Sequence, residues 1–181
     1  MLTDVTKPVE TGMAVWPGDT PFERVTRSFG EFSSSTVTMS LHTGTHMDAP
    51  SHRFSDGKTI DEIFPFIIPS LVKTQGNPAG KAVLFDRPLT ADQAEALIAD
   101  GAVLIGTSCV SIDHGDSTEA HVVILGAGIP VIENLNLDAV APGEYILMAF
   151  PLRFTGADGS PVRVLLADCP EDILPVTVFP R

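Results

Sequence analysis

Residues 42 to 52 read HTGTHMDAPSH, so three of the chain's five histidines and an aspartate fall within eleven positions. Imidazole nitrogen and carboxylate oxygen are the donors that Zn²⁺ and its neighbours such as Mn²⁺ accept, and two His with one Asp is a ligand set suited to them. On an extended chain, side chains two apart share a face. The even positions here are His42, Gly44, His46, Asp48, Pro50 and His52, which aims imidazole, imidazole and carboxylate at one point. A helix would also pair His42 with His46 at i, i+4. However, Thr43, Gly44 and Thr45 are poor helix formers and Pro50 ends one. The expected element is therefore a strand bent at Gly44 and Pro50. His52 falls past the second bend, free of the ion, where a titratable imidazole serves as a proton shuttle.

The flanking sequence suggests what holds these groups. Residues 36 to 41 alternate, with Val37, Met39 and Leu41 on one side and Thr36, Thr38 and Ser40 on the other, which predicts a half-buried strand leading into the cluster. Further on, AVLF (82–85) and AVLIG (102–106) read as buried strands. Between them LTADQAEALIADG reads as a helix, with Thr90 as N-cap, Gln93 closing a capping box and Gly101 as the stop. A second helix is expected from Asp116 or Ser117, with Glu119 as the box partner of Asp116, running to Gly126 and Gly128. IPVIE, YILMAF and VRVLLA have the content of sheet interiors, with the turn cluster TGADGSP between the last two. Residues 53 to 80 show no usable period. The whole reads as an α/β chain forming one domain over residues 1–181.

Bulk properties narrow the partners. Hydrophobic residues make up 44% and charged ones 19%, ample for a core and unlike a disordered chain. The formal charge of -12 disfavours nucleic acid and anionic membranes. The first residues lack a basic-then-apolar leader and no apolar run reaches the roughly 18 residues of a membrane span, so a cytoplasmic protein acting on a small molecule is expected. Cys109 and Cys169 form neither a metal pair nor a disulfide framework and read as ordinary thiols. His114 reads as a loop residue.

HTGTHMDAPSH fits H-x-G-T-H-x-D-x-P-x-H, and in this the chain resembles the cyclase-type metal-dependent hydrolases, the family of the bacterial kynurenine formamidases. VWPGDTPFE, SIDHGDSTEAHVVILGAGIPVIENLNLD and GADGSPVRVLLA extend the resemblance over most of the chain. It implies a swivelling β/β/α fold with a mixed sheet and few helices, assembled as a homodimer or homotetramer, with two divalent ions per subunit, zinc or manganese. By position, His42, His46 and Asp48 would hold the first ion. Asp48 would bridge to a second held by His121, with Glu133 reaching both. His52 would be the general acid/base, and Trp16 would sit at the substrate pocket. On residue type alone His121 would be a partly buried helix histidine and Glu133 a solvated strand-end carboxylate; the resemblance reverses both.

The implied activity is hydrolysis of an amide through water activated by the ions, with N-formylkynurenine giving kynurenine and formate as the leading case. Other substrates for the same site are a lactam, lactone or cyclic imide, or the site could serve a cyclase or dehydratase. From another class, a non-catalytic metal-dependent binding module keeps the ligands without turnover. The chain departs from the family between residues 86 and 102, where a single helix replaces a longer insert, leaving a more open pocket or one closed by a neighbouring subunit.

Overall fold

Short apolar runs become strands and the capped segments become helices in the computed structural model, which describes residues 1–168. In chain order these are β1 (Leu2–Asp4), β2 (Glu23–Phe29), β3 (Phe32–Thr38), β4 (His46–Asp48), β5 (Phe66–Val72), β6 (Ala82–Phe85), α1 (Ala91–Ala99), β7 (Leu104–Thr107), α2 (Glu119–Gly126), β8 (Val131–Glu133), β9 (Gly143–Pro151) and β10 (Gly159–Asp168). Single 3-10 turns lie at Pro50–His52 and Ile60–Glu62.

Eight strands form one mixed sheet in the order β1-β10-β4-β8-β7-β6-β5-β9, and a further β9–β10 pairing closes it into a barrel-like ring. β5, β6, β7 and β8 run parallel, with α1 and α2 as the crossovers of β6 to β7 and β7 to β8, while β4, β9 and β10 pair antiparallel. The expected α/β fold with a mixed sheet and few helices is the one observed. Consecutive residues in the parallel strands serve different cores, as the period of two demands. Val72, Leu84, Leu104 and Ile132 pack with Met47, Leu147 and Val164. Their neighbours Leu71, Val83, Ile105 and Val131 pack with Ala94, Ala120, Ile124 and Leu125 of the helices. Strands buried on both faces explain why these runs read as unbroken apolar stretches. Among the described residues no helix is long and apolar enough to cross a membrane.

α1 starts where its capping box puts it: Gln93 N donates to Thr90 Oγ1 at 3.3 Å and Thr90 N to Gln93 Oε1 at 3.1 Å. Two expectations are corrected. The strand expected over 36 to 41 is not half-buried: β3 ends at Thr38, pairs only with β2, and every residue of both strands is exposed, Val37 to 51%. Its alternation therefore belongs to a hairpin standing off the barrel, and the chain turns before it reaches the histidines. The Asp116–Glu119 box does not form either. α2 begins at Glu119 after Thr118, which makes no side-chain cap bond, and the carboxylate of Asp113 accepts from Ala120 N instead. Cys169 lies outside the described residues.

Candidate metal centre

The short strand β4 sits between β8 and β10, with His46 opposite Glu133 and Asp48 opposite Gly159. Antiparallel pairing thus delivers an imidazole and two carboxylates to one end of the ring. Gly44 adopts φ +68°, a left-handed turn that costs a side-chain-free residue little, and its carbonyl accepts a 2.9 Å hydrogen bond from His46 Nδ1. That bond leaves Nε2 of His46 as the free donor atom. His42 arrives from the turn ahead of β4 rather than from an extended strand, and α2 supplies His121.

The two carboxylates divide their oxygens between two imidazoles. Nε2 of His46 lies 3.4 Å from Asp48 Oδ1 and 3.5 Å from Glu133 Oε2. Nε2 of His121 lies 3.4 Å from Asp48 Oδ2 and 3.2 Å from Glu133 Oε1. In a tetrahedral site with bonds of about 2.1 Å, neighbouring donors stand about 3.4 Å apart, so each imidazole stands at ligand spacing from both carboxylates. The donors of His46, Asp48 and Glu133 all lie within 4.8 Å of one another, as do those of His42, Asp48 and His52. Nitrogen and oxygen donors of this kind suit a divalent ion.

Electrostatics point the same way. Burial alone would push Asp48 up, yet the charge of His46 and hydrogen bonds from His121 and His42 hold it well below the usual carboxylate range. Burial opposes charge on His42, but Asp48, 2.7 Å from Nδ1, and Asp158, 3.1 Å from Nε2, keep its pKa at about 9. His46 is raised against burial by Asp48 and Glu133, and His121 is pushed up to about 12 by Asp113, Asp48 and Glu133. Buried carboxylates need a positive partner. Without an ion, imidazolium protons provide it; a divalent cation supplies the same charge.

All seven residues expected at the site line one cavity of about 310 Å³: Trp16, His42, His46, Asp48, His52, His121 and Glu133. His52 stands at the rim, its side chain 37% exposed and its Nδ1 3.1 Å from Asp158 Oδ2. Trp16 is half-exposed on the same cavity. His114 is an exposed loop residue, as expected. Asp113 and Asp158 were not expected at the site. Asp113 precedes α2 by a few residues in SIDHGDS, and Asp158 lies in GADGSP, which reads as a turn. Single aspartates in loop segments carry no periodic signal, and only the tertiary fold shows what they touch.

Residues 3–84 match the family model described as "Putative cyclase". Over 201 aligned positions the chain is similar to kynurenine formamidase of Bacillus cereus, 37% identical and covering 90% of this chain and 95% of that protein. With the kynurenine formamidase of Salinibacter ruber it is 31% identical, covering 94% and 99%. Both aligned spans exceed the 181-residue chain, so these relatives carry inserted residues. Among solved structures, a predicted metal-dependent hydrolase from Bacillus stearothermophilus superposes with a TM-score of 0.78 at 28% identity, over 92% of this chain and 97% of that one. Isatin hydrolase A from Ralstonia solanacearum shares the fold, with a TM-score of 0.80 at 24% identity over 92% and 91%.

Proposed function

The chain belongs to the cyclase family of metal-dependent hydrolases and is a metal-dependent amidohydrolase; we propose that it cleaves an aryl formamide, with N-formylkynurenine giving kynurenine and formate. The observation that carries this is the sharing of Asp48 and Glu133 between the Nε2 atoms of His46 and His121. Relatives named kynurenine formamidase support the substrate. So does the cavity, whose volume is at the small-ligand end of the usual range.

In this reading His42, His46, Asp48, His121 and Glu133 hold two divalent ions, zinc in preference to manganese. Such ions, when bound, polarise a carbonyl and let water ionise near neutral pH. The chain does the rest. Trp16 offers an aromatic face for the substrate's ring at the cavity mouth. Asp158 accepts from His52 Nδ1, which leaves the other ring nitrogen of His52 to exchange protons with the reactants. Water oxygen adds to the formyl carbon as His52 takes a proton from it, the carbon–nitrogen bond breaks, and the aromatic amine leaves with that proton from His52. The product carboxylate is formate.

A homo-oligomer is part of the proposal. What supports it is the hairpin β2–β3, a two-stranded sheet exposed throughout with Phe29 and Phe32 exposed at its tip. A hairpin without a packed face is marginal in water, and a second subunit supplies one.

The test is turnover of N-formylkynurenine by protein stripped with a chelator and reloaded with Zn²⁺ or Mn²⁺, alongside lactone, lactam and cyclic-imide substrates. Activity restored by the ion and lost in His52→Ala supports the reading. Activity indifferent to chelation, or confined to another substrate class, overturns it.

A further inference from the structure

The two imidazoles that share the carboxylates are oriented differently. His46 Nδ1 donates to a neutral backbone carbonyl, that of Gly44. His121 Nδ1 instead meets Asp113 Oδ2 at 2.5 Å, with the Asp113 side chain only 2% exposed. The other oxygen, Oδ1, accepts from Ala120 N at 2.7 Å in the first turn of α2. One carboxylate therefore starts the helix that carries His121 and fixes the ring on it.

We propose that Asp113 is the positioning residue for the second ion. By accepting from both Ala120 N–H and His121 Nδ1–H, it keeps a proton on Nδ1, so that Nε2, facing Asp48 and Glu133, is the nitrogen that gives up its proton to an ion; without it the protein keeps the ion at His46 and holds the one at His121 more weakly. This rests on the two-ion reading above. Its basis is acceptor count. A buried carboxylate is an acceptor on both oxygens, whereas an amide offers one acceptor and one donor. With asparagine at 113, either its NH₂ faces His121 Nδ1 or it faces Ala120 N–H. The first arrangement forces the proton onto Nε2, where it points at the carboxylates and leaves no lone pair for an ion. The second sets donor against donor at the helix start and releases α2 from the loop. Both outcomes damage the His121 side of the centre. Neither touches His46, whose orientation comes from Gly44. An imidazole backed by a carboxylate is also the more basic ligand, and losing such a partner lowers metal affinity about 10- to 100-fold.

The experiment is a Zn²⁺ titration of metal-stripped wild type, Asp113→Asn and Asp113→Glu, read by native mass spectrometry and competition with a chromogenic chelator. Circular dichroism serves as the check on folding. The wild type is expected to bind two ions per chain. Asp113→Asn should bind one at near wild-type affinity and the second about 10- to 100-fold more weakly, with Asp113→Glu recovering part of the loss. Two ions bound equally well by wild type and Asp113→Asn overturn the assignment of Asp113 while leaving the two-ion centre standing. A wild type that binds fewer than two overturns both.

Long-range ¹H–¹⁵N correlation of the His121 ring in zinc-loaded wild type reads the same point without a variant. A proton on Nδ1 and zinc on Nε2 support the inference, and the reverse arrangement sinks it even if Asp113→Asn fails to fold.

Discussion

His46 and Glu133 face each other across the β4–β8 ladder, with His46 Nε2 3.5 Å from Glu133 Oε2 and side chains 4% and 6% exposed. A base and an acid buried as direct cross-strand neighbours are costly unless something shares their charge. Glu133 also takes Ile112 N–H at 2.6 Å and faces His121, so it joins three segments of chain. Glu133→Gln keeps the shape and removes the charge. Its bound zinc, measured after dialysis, should fall below wild type, and kcat/KM on N-formylkynurenine should drop by at least about 10²-fold, since even outer partners of metal ligands are worth 10 to 100. Wild-type metal content in this variant would count against Glu133 as a ligand.

Stability of the metal-free protein should fall as pH rises from neutral. His42 and His121 have folded-state pKa values of about 9 and about 12, raised from 6.5. The fold thus holds protons that the unfolded chain releases above pH 6.5, and stability declines with pH in that range. The His42 contribution is complete below 6.5 and gone above about 9; that of His121 continues to decline towards about 12. Melting curves of chelator-treated protein between pH 6 and 9 should show a falling midpoint, and zinc-loaded protein, whose imidazoles carry no such protons, a flatter profile. Parallel profiles would contradict the proton-for-ion exchange.

The same protons must leave when an ion binds. Calorimetry of zinc binding at pH 7 to 8 in buffers of different ionisation enthalpy should report net proton release, with apparent affinity rising with pH. Binding without proton release would mean that His42 and His121 are not ligands.

Gly159 lies opposite Asp48 in the ladder, where a Cβ would come within 2.7 Å of His42 Cε1 and 3.0 Å of the Met47 carbonyl oxygen. Backbone on one side leaves only His42 to move. Gly159→Ala should cost about 1–3 kcal/mol, as overpacking does, and weaken zinc binding. Unfolding curves and titration measure the two. A variant that melts and binds like wild type would place His42 elsewhere.

Light scattering should find the protein larger than one chain, and Phe29→Glu with Phe32→Glu should dissociate it. These residues pair directly in the hairpin and share a face. A monomeric wild type would remove the homo-oligomer from the account.

Much of the centre can be read in the sequence because it is local. His42 to His52 lie within eleven residues, and the capping box of α1 is set by Thr90 and Gln93 alone. The parallel strands show as apolar runs because both their faces are buried. What escapes the sequence depends on partners far along the chain. The alternation at 36 to 41 looks like a half-buried strand, but alternation does not say whether a core lies beneath it, and here none does. Asp113 and Asp158 gain their roles only when α2 and β10 bring them to His121, His42 and His52. The Asp116–Glu119 spacing suits a capping box, yet Asp113 takes up the amide of Ala120 and α2 starts at Glu119.

The most direct test is to titrate metal-stripped protein with Zn²⁺ while following N-formylkynurenine turnover and bound metal together. The account predicts no turnover without metal and a rise that tracks occupancy, levelling at two ions per chain. Full turnover at zero bound metal, or a fully loaded protein with none, would contradict it.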